Sequence, residues 1–131
     1  GSIWATLVHL YGAEHAWIET LEGRVDAPVP GPDVFANLGQ LADAWPGVHR
    51  RWWAFLDTVN IEELTRPVAR RSVSTAGRTR QMPLHDVLIH VCTHAQYTGA
   101  QMTNMLRQSG VSDLGSAAIS MTVLSRAEHG E

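Results

Sequence analysis

The stretch PLHDVLIHVCTHAQYTGAQMTNMLRQSG, Pro83 to Gly110, decides the fold. Proline lacks an N–H and holds φ near the helical value, so Pro83 suits a helix start, and Asp86 complements the positive end of the first turn. Leu84, Val87, Val91, Thr98, Met102 and Met105 then share one helical stripe. His90, His94 and Gln101 run along its edge, and Gly110 supplies a stop. The spacing predicts a long helix from Pro83 to about Gln108.

Working outward, Ser2 is placed to cap a helix from Ile3 to Leu21, with Gly23 as its stop. Ile3, Leu7, Leu10, Tyr11, Ile18 and Leu21 share a face, while Ala5, His9, Gly12, Ala13 and Ala16 make the opposite one. Apolar or small residues all round predict a helix covered on more than one side, close enough for another helix to approach. Gly23 to Pro32 reads as a loop. Asp33 is the expected cap of a second helix, Val34 to Val59, with Pro46–Gly47 predicting a kink or a division into two helices. Residues 61–64 read as a short helical turn. Val68, Val73 and the arginines around Ala76–Gly77 read as a two-stranded hairpin, and Val111 to Glu131 as an irregular arm over the bundle. The class is all-α: an up-down helical bundle with a small β-hairpin between its last two long helices, one domain over residues 1–131.

The 131 residues are 44% hydrophobic, enough to bury a core and to argue against disorder. No run approaches the ~18 apolar residues of a spanning helix. Ile3 to Ile18 carries His9, Glu14 and His15 without a basic start, so it does not read as a secretory signal. Cys92 is the single cysteine, which excludes an internal disulfide and leads us to expect a reducing cytoplasm. Residues 1–65 hold nine acids and three arginines, whereas residues 66–82 hold Arg66, Arg70, Arg71, Arg78 and Arg80 and no acid. With a net charge of −3 the chain does not read as a nucleic-acid binder.

His90 and His94 lie one helical turn apart, on one face within reach of a common ion. His9 sits among small residues on another helix, and bundle cores bring such groups together into metal sites. Solvated or hydrogen-bonded histidines produce the same spacing, and His15, His49, His85 and His129 read that way. Cys92, mid-helix in an apolar stretch, reads as an inert buried thiol. Glu14 points away from His9 among Leu7, Leu10 and Ile18, so an arginine partner is expected for it. Trp17 and Trp52 fit apolar stripes, and Trp4 and Trp53 suit a partner helix. The arginine-rich hairpin reads as solvated. Its functional alternative is an anion-recognising lid in which Arg78 and Arg80 bind substrate.

Two motifs carry a resemblance. Ser2-Ile-Trp-Ala-Thr-Leu-Val-His9 through Glu14 and Trp17 to Leu21-Glu-Gly23, and Leu84-His-Asp-Val-Leu-Ile-His90 through His94, Thr98 and Gln101 to Gly110, resemble the DinB/YfiT-like proteins. The tail from Gly110 through Ile119 to Arg126 is similar to that family's ending. The resemblance implies a four-helix bundle, commonly a homodimer, holding a divalent metal such as Zn or Ni on three histidines. By motif position these correspond to His9, His94 and Thr98, so a threonine stands at the third ligand position. His90, a carboxylate or a water held by Thr98 is then the expected completion. Family chains carry a further helix ahead of the Ser2 motif. Its lack implies either a fragment or a three-helix bundle whose open face a partner subunit covers. The activity implied is transfer of a low-molecular-weight thiol, bacillithiol or mycothiol, to an electrophile. The alternative is a non-catalytic, dimeric binding protein.

Overall fold

A computed structural model describes residues 1–71 and 76–114. The chain folds as α1 (Ile3–Leu21), α2 (Leu38–Leu56), β1 (Pro67–Arg71), β2 (Thr79–Pro83) and α3 (Leu84–Gln108), with 3-10 turns at Pro32–Val34 and Ile61–Thr65. The all-α class with one hairpin between the last two long helices therefore stands. The expected arm beyond Leu114, with His129, lies outside the described residues, as does Val73.

Local chemistry sets most boundaries. Ser2 Oγ accepts the Ala5 N–H at 3.1 Å at the start of α1, and Gly23, with φ +107°, ends it in the left-handed region that favours glycine. α2 corrects the sequence reading at both ends. Asp33 does not cap it, because Pro32–Val34 closes a turn of its own and Phe35 is extended. Asn37 is the cap, accepting the Gln40 N–H at 3.0 Å. The helix ends at Leu56, where the Thr58 and Val59 N–H groups turn back to the Phe55 and Leu56 carbonyls. It also runs through Pro46 without dividing. A proline inside a helix costs about 3 kcal/mol; Leu41 and Val48, buried on either side of Pro46, hold the two halves on one helix. Asn60 and Glu63 form a capping box for the turn at Ile61–Thr65.

α1 is the central element. On one side Val8, Tyr11 and Ile18 pack with Leu41 and Val48 of α2, flanked by Trp4, Trp45 and Trp52. On another, Val68, Leu84 and Val87 form a second cluster with Trp17, Leu21 and Met82. The hairpin is antiparallel, Val68 opposite Met82 and Arg70 opposite Arg80. Small residues do admit a neighbour at α1, but at Gly12 that neighbour is a loop: a Cβ there would stand 3.0 Å from both the Pro30 carbonyl oxygen and Val29 Cγ1. α2 and α3 face each other across an apolar groove lined by Trp52, Trp53, Leu56, Leu88 and Val91.

Three further expectations change. Cys92 is exposed and lines that groove, because no helix among the described residues covers its side of α3. Glu14 has no arginine partner among the described residues; its Oε2 accepts from Trp45 Nε1 at 2.7 Å and lies 3.3 Å from His49 Nε2. Arg51 instead spans α2 to α1, bound to Glu19 and Glu22. Nor is the hairpin wholly solvated, since Arg70 is buried.

Candidate functional site

α1 and α3 run antiparallel, which pairs His9 with His94 and, two turns away, Trp17 with His90. The Nε2 atoms of His9 and His94 lie 3.1 Å apart, with ring centroids at 5.1 Å. His90, one turn before His94, stacks on it at 6.0 Å and meets the Trp17 ring edge-on at 5.4 Å. Two neutral imidazoles at this separation share one proton, one ring donating and the other accepting. Burial pushes the His94 pKa down, and a charge on His9 or His90 would lower it further. His94 is thereby favoured in its neutral form, the one in which imidazole offers a lone pair.

These rings border a cavity of about 540 Å³ between α1, α3, β1 and the loop after α1. Trp17, Val29, Arg70 and Arg71 form much of its remaining wall, with Asp26 at the exposed loop. Arg78 and Arg80, the sequence candidates for substrate binding, stand outside that lining; the cavity arginines are Arg70 and Arg71. Arg70 was missed because a charged strand residue reads as solvated. The signal was strand alternation, which places residue 70 on the inward face with Val68.

The Arg70 guanidinium donates to the carbonyls of Ala16 and Ala27 at 3.3 and 3.2 Å and to Thr20 Oγ1 at 2.5 Å. It lies over the Trp17 ring, 4.9 Å from the centroid. Arg71 is exposed and its Nε donates to Thr79 Oγ1 at 3.3 Å.

A family model described as the DinB family matches residues 1–123. The chain belongs to the DinB family. Comparison with curated proteins and with solved structures returned no significant match.

In this DinB chain the donor atoms suit a divalent ion in part. Two imidazole nitrogens on one tetrahedral zinc, each at about 2.0–2.1 Å, lie roughly 3.3 Å apart, close to the 3.1 Å between His9 and His94. A third ligand is not assembled: among the described residues no three His, Cys, Asp or Glu side chains are grouped to hold an ion. His90 faces Trp17 instead, and Thr98, one turn beyond His94, is buried with 2% exposure. The other described histidines are engaged elsewhere. His15 stacks on Tyr11, His49 meets Glu14, and His85 Nδ1 bonds the Leu64 carbonyl at 2.9 Å. None of the described helices is long and apolar enough to cross a membrane.

Proposed function

We propose that this DinB protein is a divalent-metal-dependent enzyme of low-molecular-weight thiol transfer. It takes Zn or Ni on His9 and His94, with His90 or Thr98 supporting the site. The observation that carries the reading is the 3.1 Å approach of two imidazole nitrogens from different helices at the edge of a cavity. A divalent ion, when bound, supplies Lewis acidity that lowers the pKa of a thiol at neutral pH. The chain's own contribution is to keep His94 neutral, to wall the cavity with Trp17 and Val29, and to set two guanidiniums beside it. The reading places the protein in the cytoplasm, where such thiols stay reduced, and as a homodimer joined over the α2–α3 groove.

The test is metal content after purification without chelator, by plasma mass spectrometry. The expected result is about one ion per chain in the wild type and none in His94→Ala. Wild-type protein that takes up no metal after dialysis against zinc and nickel overturns the enzyme reading. The second reading, a non-catalytic dimeric binding protein, then stands. The buried threonine at position 98 supports it, because a hydroxyl is a poor ligand for these ions.

A further inference from the structure

Arg70 is a buried cation with no counter-ion among the described residues. Its exposure is 8%, and its hydrogen bonds run to two carbonyls and a hydroxyl, all neutral. Among the described residues no carboxylate forms an ion pair with it. Burial pulls its pKa down, as expected for a charge whose desolvation is not offset by an anion. Such a group is expensive to keep unless something uses it. Arg71 and Arg80, in contrast, are exposed. Arg70 instead forms part of the wall of the cavity that His9 and His94 border.

We propose that this cavity binds a monocarboxylate with an apolar body, its carboxylate paired with the Arg70 guanidinium and its body against Trp17 and Val29. Charge selects the monoanion. Arg70 and Arg71 face one Asp26 around the cavity, so its arginines and carboxylate leave a single net positive charge for the ligand to balance. A phosphate dianion would bring excess charge towards Asp26. A planar carboxylate also matches a guanidinium fork. The apolar walls, Ala13, Ala16, Trp17 and Val29, suit an aliphatic or aromatic remainder. The inference rests on reading the cavity as a substrate site, but it requires no metal.

Isothermal titration calorimetry of chelator-treated protein with butyrate, butyramide and inorganic phosphate, at constant ionic strength, tests it. Butyrate should bind at least about tenfold tighter than butyramide, which has the same shape without the charge, and tighter than phosphate. Arg70→Met should weaken butyrate by about tenfold or more, Arg71→Gln by about threefold, and Arg50→Gln, on the exposed side of α2, not at all. Arg71→Gln, on an exposed strand end, decides the matter if Arg70→Met does not fold. Equal affinity for butyrate and butyramide, tighter binding of phosphate, or butyrate binding unchanged in every folded arginine variant overturns the proposal. So does butyrate binding that needs added zinc, since the carboxylate would then sit on the ion. Metal content of the same untreated samples separates the two readings: wild type lacking metal yet binding butyrate refutes the centre alone.

Discussion

His9 and His94 stand 85 positions apart in the chain, and their Nε2 atoms lie 3.1 Å apart in space. Only one of the two rings can donate into that contact, so protonating both sets two positive rings against each other. His94 is the ring whose pKa the fold depresses, through burial first and through His9 and His90 second.

A pH dependence follows. A histidine bound neutral in the folded state contributes stability that is complete above its ordinary pKa of about 6.5. That contribution declines as pH falls through this value towards the depressed folded one, because the unfolded chain takes the proton more readily. Urea unfolding of metal-free protein from pH 7.5 to 4.5 should show the wild type losing more stability than His94→Gln. His15, also depressed by burial, titrates in the same window, so His15→Gln is the control. Parallel curves for wild type and His94→Gln would refute the coupling.

Thr98 lies one turn from His94 and is buried at 2% exposure. Replacing it with histidine adds volume to a filled position, at a cost of about 1–3 kcal/mol in the metal-free protein. If residue 98 faces the same point as His9 and His94, the added ligand more than offsets this. Zinc affinity of Thr98→His, measured by competition with a chelator, should then rise at least about tenfold. A destabilised variant whose affinity is unchanged shows that position 98 does not converge with the pair.

What could be read in advance follows from the range of each interaction. α1, the hairpin and α3 were legible because their signals are local: Ser2 three residues before the N–H that donates to it, Gly23 and Gly110 at the stops, Pro83 at the start. α2 was misjudged where tertiary packing outweighed a local rule, at Pro46, and where two capping residues competed, Asp33 and Asn37. The histidines could be nominated by residue type, but their meeting depends on how two helices slide past each other. Cys92 and Arg70 failed in opposite directions for one reason: apolar neighbours in sequence do not reveal which side of an element lacks a cover.

Gly12 links α1 to the loop that walls the cavity. Alanine in a helix is worth up to about 1 kcal/mol over glycine, so on propensity alone Gly12→Ala should stabilise. Its Cβ, however, meets a backbone oxygen and a valine methyl at 3.0 Å, and the Pro30 backbone cannot swing aside as a flexible side chain would. The expected outcome is net destabilisation of about 1–2 kcal/mol, with movement of Val29 and weaker butyrate binding. Equal or raised denaturant midpoints would show that the loop yields freely.

The groove between α2 and α3 should close on a second copy of the chain. Trp53 and Ile89 are each 59% exposed and Leu56 40%, on the two helices that α1 holds apart. Each large apolar side chain covered there contributes about 1.5–3 kcal/mol, and tryptophan is a frequent anchor of protein interfaces. Light scattering after size exclusion at micromolar concentration should therefore report a dimer, and Trp53→Glu a monomer with unchanged helical content. The groove's own polar atoms do not oppose this, because Glu14 is already satisfied by Trp45 and His49 at its edge. A monodisperse wild-type monomer would remove the homodimer from the proposed function. The His9–His94 pair, on the opposite side of α1 from Glu14, would be untouched by that result.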